Sequence, residues 1–172
     1  MNSDTFNLKC IVAHRDGHKY CVRDSDRLQE SAELLAEATQ RMKKVVRGMH
    51  QKYPHDERVT LLVSRFNPNR IVETLPTSEY TAYSEGKGAK LAFCLRKHKY
   101  EMQLIDINTL MFVALHELTH LMTSSIGHKK EFWDNFTFIL EYATEEGLYK
   151  PVDYAKHPSE YCGLTIDSNP LY

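Results

Sequence analysis

The longest regular pattern in the chain is a series of apolar residues, three or four positions apart, between Ser25 and Pro54. This spacing places apolar side chains on one face of an α-helix, so we predict a long amphipathic helix over residues 25–52. Ser25 favours the N-cap position and Pro54 cannot continue a helix, which sets the expected limits. The apolar face consists of Leu28, Ala32, Leu35, Ala38, Met42, Val45 and Met49.

Shorter apolar or β-branched runs between turn residues predict β-strands. Two such runs surround Asp16-Gly17, a pair typical of tight hairpin turns, so we expect an N-terminal β-hairpin over residues 6–23. Further runs rich in β-branched and apolar side chains occur within residues 59–96. They predict three strands, at residues 59–66, 80–84 and 91–95.

Two more helices are predicted in the second half of the chain. Asn108 is a suitable N-cap for an apolar run that continues to residue 124. Residues 129–146 then carry an apolar stripe at helical spacing, formed by Phe132, Phe136, Ile139, Leu140 and Ala143. The remaining residues, 149–172, are rich in Tyr, and we expect this tail to pack across the domain.

Length and composition indicate one globular domain, residues 1–172. The chain is 42% hydrophobic and 26% charged, close to globular averages, and it is too short for two domains of ordinary size. A formal net charge of −1 produces no field that attracts nucleic acid, so a nucleic-acid partner is weakly supported. The sequence has no membrane-spanning run and no signal-peptide pattern, and we expect an intracellular protein of the cytoplasm or nucleus without membrane contact.

The four cysteines are scattered, and we expect them to be reduced thiols. They are Cys10, Cys21, Cys94 and Cys162. The spacing of Cys10, His14, His18 and Cys21 formally offers enough ligands for a second, structural zinc ion. Alternation along a hairpin should direct these side chains to different faces, which argues against that site.

The motif that carries chemistry is His116-Glu117-Leu118-Thr119-His120, the H-E-x-x-H pattern. Residues four apart lie on the same side of a helix, so both imidazoles can bind one metal ion. Glu117 would face the remaining coordination position, where it can take a proton from water and deliver it to a leaving amine. The alternative is an ordinary helix with two satisfied histidines. The apolar residues 110–115 argue against it, because buried polar groups need partners.

A catalytic zinc site usually has three protein ligands, and two candidates exist for the third. His128 follows Gly127, which suits a sharp turn that returns the chain to the metal. Glu141, on the following predicted helix, would instead give a His2Glu site. We favour His128, because imidazole suits zinc and the turn returns the chain at once.

The residues around the motif resemble the WLM family of zinc metallopeptidases, which is related to the SprT-like and Spartan proteases. In that family pattern, a third His is followed four residues later by Phe-Trp, as His128 is followed by Phe132 and Trp133. Residues 90–96 and 108–115 resemble the strand and the helix start that precede the motif. The final residues, 161–172, resemble WLM-like proteins encoded by large DNA viruses of eukaryotes, which implies a host-cell location.

The resemblance implies an α+β zincin fold, a compact metallopeptidase domain with a small mixed sheet packed on the active-site helix and the long N-terminal helix. It also implies proteolysis with one Zn2+ per chain, in some members of proteins crosslinked to DNA. Seven residues separate His120 from His128, more than in the family pattern, which predicts a longer loop at this point.

The leading functional hypothesis is a zinc-dependent endopeptidase that acts on a protein or peptide in extended form. A non-catalytic zinc-binding interaction module and a hydrolase of non-peptide amides are the alternatives. Glu117 favours catalysis, because structural zinc sites normally fill the fourth position with a protein ligand. Residues 91–95 are the predicted sheet edge for peptide pairing, although the neighbouring charges of Lys90, Arg96 and Lys97 also suit ordinary edge protection.

Several residues of the tail have chemistry that could serve the site. They are Tyr154, His157, Tyr161 and Cys162. A Tyr or His that reaches the cleft could stabilise the oxyanion, and Cys162 could occupy the fourth zinc position as a thiolate and inhibit the enzyme. Simple core packing away from the metal is the third alternative, and it is the commonest use of a terminal segment.

Overall fold

The computed structural model describes residues 7–125 and 127–172, and within them it has four α-helices and seven β-strands. In chain order the elements are β1 (Leu8–Val12), β2 (Lys19–Arg23), α1 (Leu28–Lys52), α2 (Glu57–Arg65), β3 (Ile71–Glu73), β4 (Ala82–Glu85), β5 (Lys90–Phe93), α3 (Ile107–Met122), α4 (Lys130–Glu145), β6 (Ser159–Tyr161) and β7 (Leu164–Ile166). Residue 6, where the predicted hairpin begins, lies outside the described residues. The α+β class is confirmed.

Five strands form a mixed sheet in the order β1-β2-β3-β5-β4. The β1–β2 and β4–β5 pairs are antiparallel, whereas β3 lies parallel to both β2 and β5. The prediction that residues 91–95 form the peptide-binding edge is therefore wrong, because β5 is paired on both sides. The outer strand on this side is β4, which covers the edge that the sequence appeared to leave open.

The N-terminal hairpin corrects the expectation of reduced cysteines. In its register Cys10 lies opposite Cys21, and their sulfur atoms are bonded. Directly opposed residues of an antiparallel pair place their side chains on the same face, so alternation does not separate these two. Cys94 and Cys162 form the second disulfide, which joins residues 68 positions apart and so depends on the fold rather than on spacing.

α1 buries the apolar face that the periodicity predicts. Its fully buried residues on that face are Ala32, Leu35, Ala38, Met42, Val45 and Met49. The helix begins at Leu28, and Ser25 is not its N-cap: the Ser25 hydroxyl accepts a hydrogen bond from the Arg27 backbone N–H, 3.3 Å away, just before the helix. The long helix thus packs on the sheet and on α3, where it supports the helix that carries the motif.

Residues 59–66 form a helix rather than the predicted strand, since α2 spans Glu57–Arg65. Asp56 caps it by accepting a hydrogen bond from the Arg58 N–H, and the buried Val59 and Leu62 lie three residues apart on the inner face. Capping and tertiary packing thus override the β-propensity of this segment. The short strand β3, which follows, was not predicted, because three residues carry too little periodicity.

α3 and α4 pack against each other and bury nearly all their apolar residues. α3 is capped by Asp106, which accepts from the Thr109 N–H at 2.8 Å, rather than by Asn108. The Asn108 side chain instead exchanges two hydrogen bonds with the Lys150 backbone and so fastens the start of the tail. No helix of the described residues is both long and apolar enough to cross a membrane.

A buried cluster of charges joins the sheet to the segment after β5. Glu73 is fully buried at the end of β3, and its carboxylate lies 3.1 Å from the Arg96 Nε and 3.4 Å from the Arg23 Nε. The same carboxylate accepts a hydrogen bond from the Arg23 backbone N–H at 2.7 Å. One carboxylate thus pairs with two guanidinium groups that water hardly reaches, which fixes the chain where the tail later docks.

Candidate metal centre

α3 presents His116 and His120 on the same side, one turn apart, as the four-residue spacing requires. Their ring centroids are 5.1 Å apart, and both rings are partly exposed. The neighbouring side chains Leu115, Leu118 and Leu121 are buried in the core, which fixes the rotation of the helix. The burial of these leucines therefore keeps the two imidazoles on the exposed side of the helix.

The segment after α3 brings a third histidine to this pair. The Nε2 atoms of His128 and His120 are 3.3 Å apart, and one ring nitrogen of each of the three histidines lies within 4.8 Å of the others. Gly127 has a φ of +88°, a conformation that favours glycine and sharpens the return. At the beginning of the loop, the Thr123 hydroxyl accepts a hydrogen bond from the Asn135 amide on α4. The three histidines can hold one metal ion.

The Phe-Trp pair of α4 supports all three histidines. The centroid of the buried Phe132 ring lies 5.0 Å from that of His116, 4.5 Å from His120 and 4.6 Å from His128. The Trp133 indole N–H donates to the His128 backbone carbonyl at 3.2 Å. Both aromatic residues thus act on the position of the imidazoles, which explains their spacing from His128.

Burial sets the electrostatics of the centre. Desolvation disfavours the imidazolium and lowers the pKa of both His120 and His128 below the ordinary value. The neutral form, which these shifts favour, is the form that binds metal. Glu117 is 5% exposed, and its Oε2 lies 3.1 Å from the His116 Nδ1. A buried carboxylate thus lies directly beside the three imidazoles.

The other predicted ligands lie elsewhere. Glu141 is exposed on α4 and is not part of the histidine group. Cys10 and Cys21 are bonded to each other, and His14 and His18 are exposed near the hairpin turn. Within residues 7–125 and 127–172, no second group of three or more metal-binding side chains comes together.

The sequence profile of the WLM domain matches residues 25–155, about three quarters of the chain. The chain belongs to the WLM family. That span contains α1 to α4, the strands β3 to β5, the three histidines and Glu117, so the match covers three strands of the sheet and the whole centre. The resemblance inferred from the H-E-x-x-H motif and the Phe-Trp pair is confirmed.

The WLM relatives with similar sequences include proteins of large DNA viruses. An uncharacterized protein of Acanthamoeba polyphaga mimivirus is 32% identical over 157 residues, which is 88% of this chain and 79% of the relative. An uncharacterized protein of Invertebrate iridescent virus 3 is 44% identical over 71 residues, 41% of this chain and 40% of the relative. Uncharacterized viral proteins are thus similar to this chain.

Two solved structures have a similar fold. A crystal structure of Wss1 from Saccharomyces cerevisiae is similar with a TM-score of 0.53 and 17% identity, over 73% of this chain and 88% of Wss1. A structure of a Wss1 mutant gives a TM-score of 0.55 and 20% identity, over 74% and 92% of the two chains. At these identities the likeness concerns the fold alone.

The tail of this WLM chain packs beside the centre, but not as the sequence suggested. Cys162 is bonded to Cys94, so the prediction that it occupies a zinc position as a thiolate is wrong. Tyr161 is buried beside Glu117 and donates from its hydroxyl to the Thr81 carbonyl at 3.1 Å. Burial raises the pKa of Tyr161 well above the ordinary value, which keeps the proton on its oxygen.

The other tail residues lie farther from the centre. Tyr154 is buried against Phe112, with ring centroids 4.8 Å apart, and its hydroxyl pairs with that of Tyr149. Burial raises the pKa of Tyr154, so it remains a neutral packing residue. His157 is exposed and belongs to no metal-binding group of the described residues.

A cleft of about 250 Å³ opens beside His116 and Glu117. Its walls come from β4, the middle of α3 and the β6–β7 hairpin. Its lining residues are Thr81, Ala82, Phe112, Val113, His116, Glu117, Tyr161, Leu164, Thr165 and Ile166. Sequence reasoning missed Leu164 and Ile166. Their alternation in a short apolar segment was a usable signal for a strand, but nothing local places that strand at the metal centre.

Proposed function

We propose that this WLM chain is a zinc-dependent endopeptidase, with His116, His120 and His128 as ligands of one zinc ion and Glu117 as the general base. The observation that carries the proposal is the gathering of three ring nitrogens within 4.8 Å beside a buried carboxylate, at the mouth of a cleft. An open coordination position, a base and room for a substrate are what metal-assisted hydrolysis requires.

The donor set fits zinc. In tetrahedral sites zinc lies about 2.0–2.1 Å from imidazole nitrogen, which places neighbouring ligand nitrogens roughly 3.3 Å apart. The Nε2 atoms of His120 and His128 are 3.3 Å apart. Three neutral imidazoles also leave one tetrahedral position for water or substrate, as in catalytic zinc sites.

The chemistry divides between the ion and Glu117. When bound, zinc acts as a Lewis acid that lowers the pKa of water and polarises the substrate carbonyl. Glu117 takes a proton from the attacking water as its oxygen bonds to the carbonyl carbon. The carboxyl group of Glu117 then passes that proton to the leaving nitrogen as the C–N bond breaks. Its burial keeps the carboxylate beside the reacting atoms.

The proposed substrate is a protein or peptide segment in extended form. β4 is the outer strand beside α3, and an extended segment can add to such an edge through backbone hydrogen bonds. Alternate side chains of the added segment would then face the cleft and solvent in turn. The proposal thus gives β4 the binding role that the sequence analysis gave to residues 91–95, and it favours unfolded segments over compact domains.

The alternative of a non-catalytic zinc module leaves Glu117 without a purpose. In the described residues its side chain has one hydrogen-bond contact, with the adjacent His116, and burial of a carboxylate is costly. A structural site would also normally use a fourth protein ligand. Both features favour catalysis.

Metal removal tests the proposal. The purified chain should contain one zinc ion per molecule by mass spectrometry and should cleave denatured casein. A chelator should abolish cleavage, one equivalent of zinc should restore it, and magnesium should not, because magnesium prefers oxygen ligands. His14→Ala, which changes an exposed histidine outside the group, is the matched control and should behave as the wild type. Cleavage that survives complete removal of zinc would refute the proposal.

A further inference from the structure

The β6–β7 hairpin is fixed to the body of the protein beside the metal centre. Its two-residue turn, Cys162 and Gly163, has φ values of +53° and +83°, as in a type I′ turn. The backbone N–H groups of these residues donate to the carbonyls of Arg96 and Lys97 at 2.9 and 2.8 Å. The disulfide to Cys94 adds a covalent link. The hairpin is therefore fixed in position as one wall of the cleft.

This wall presents apolar side chains to the cleft. Leu164 and Ile166, two positions apart on β7, line the cavity together with Val113 of α3 and Ala82 of β4. Leu164 is 56% exposed, so a bound side chain can reach it from the cavity. Apolar side chains from three elements thus border the cavity.

The cavity has few charges with which to receive a polar side chain. Among the described residues, the titratable groups in its lining are His116, Glu117 and Tyr161. His116 and Glu117 are assigned to the reaction, and the Tyr161 hydroxyl already donates to the Thr81 carbonyl. A charged side chain would therefore lose its hydration here without gaining a partner of its own.

We infer that this cavity is the specificity pocket of the enzyme, that it takes a large apolar side chain next to the cleaved bond, and that Leu164 and Ile166 determine that preference. The inference rests on the proposed peptidase function and identifies the class of substrate. An apolar cavity of roughly 150 Å³ can hold benzene, so a space of about 250 Å³ accommodates a Leu, Met or Phe side chain.

The selectivity expected from such a pocket is substantial. Each methylene that fills an apolar pocket changes kcat/KM by roughly 10- to 200-fold. We therefore expect Leu to exceed Ala by at least about tenfold at the position next to the cleaved bond, and to exceed Asp by more. Backbone pairing with β4 is independent of residue type, so other positions should show little preference.

The first test is cleavage-site profiling on a library of denatured peptides with the zinc-loaded chain. The wild type should cleave next to Leu, Ile, Met or Phe. Leu164→Glu places a carboxylate in the wall and should shift the preference toward Lys and Arg. Val12→Glu makes the same type of change at an exposed apolar residue of β1, the opposite edge strand, and should leave the profile unchanged. A profile without residue preference, or one that Leu164→Glu leaves unchanged, would overturn the inference.

The second test does not depend on turnover. Glu117→Gln should bind a short labelled Ala-Ser peptide with one central Leu about tenfold or more tightly than its Asp version, as measured by fluorescence anisotropy. Adding Leu164→Glu should remove this difference, while adding Val12→Glu should preserve it. If Glu117→Gln shows these binding differences but the zinc-loaded wild type cleaves no peptide, the pocket is supported and the peptidase proposal fails. If the wild type cleaves peptides but Glu117→Gln binds the Leu and Asp peptides equally, the peptidase proposal is supported and the pocket inference fails.

Discussion

Glu73→Gln should destabilise the fold strongly, because this carboxylate is the shared ion-pair partner of two buried guanidinium groups. The Glu73 side chain is fully buried, and the side chains of Arg96 and Arg23 are 1% and 8% exposed. Gln keeps the shape but removes the charge and turns an N–H group toward donors. Breaking a buried ion pair by removing one partner costs about 3–5 kcal/mol. That is a large fraction of a total stability of about 5–15 kcal/mol.

Urea unfolding followed by circular dichroism, with both proteins saturated with zinc, measures this loss. In a domain of this size it corresponds to a fall in melting temperature of roughly 6–20 °C. Glu30→Gln is the matched control, since Glu30 pairs with Arg27 at the surface and is 63% exposed. It should change stability by no more than about 1 kcal/mol. A Glu73→Gln protein within about 1 kcal/mol of the wild type would refute the reasoning.

Two further predictions concern a ligand and a helix cap. His128→Ala should lower zinc affinity about tenfold or more, whereas Glu141→Ala should leave it unchanged in competition with a chelator dye; the reverse ranking would refute the ligand assignment. Asp56→Ala should cost about 0.5–2 kcal/mol at pH 7 through loss of the α2 cap. A hydrogen bond from the Arg58 side chain lowers the pKa of Asp56, so its stabilisation is complete above the unfolded pKa and disappears as pH falls through the folded value. With zinc removed by a chelator, the difference in unfolding free energy between Asp56→Ala and the wild type should therefore shrink below about pH 3.9. An equal loss of stability at pH 7 and below about pH 3.9 would contradict this prediction.

The sequence is most informative where structure depends on local periodicity. α1 and α4 have apolar residues at helical spacing over 16 residues or more, and each helix buries the apolar face that this spacing defines. α2 has nine residues, too few to distinguish a β-branched run from an amphipathic helix without its cap. The sequence did contain a capping residue, Asp56, which accepts a hydrogen bond from the Arg58 N–H at the start of α2.

The candidate site divides in the same way. His116, Glu117 and His120 come together because they share one helix. Gly127, with its positive φ, allowed the sequence analysis to predict that His128 returns to them. The order of strands could not be read, because β4 and β5 are neighbours through pairing rather than through any local pattern. The position of β7 depends on contacts between segments about 70 residues apart, so the sequence alone does not show that Leu164 and Ile166 line the cleft.

The most direct test of the central claim is the behaviour of Glu117→Gln with zinc bound. Gln removes the proton acceptor but no metal ligand, so the variant should retain one zinc per chain while hydrolysis of denatured casein falls by about 10²-fold or more. Glu141→Gln, at an exposed position of α4 outside the histidine group, is the matched control and should keep both. A Glu117→Gln protein that retains zinc and cleaves at the wild-type rate would contradict the assignment of the general base and with it the account of the centre.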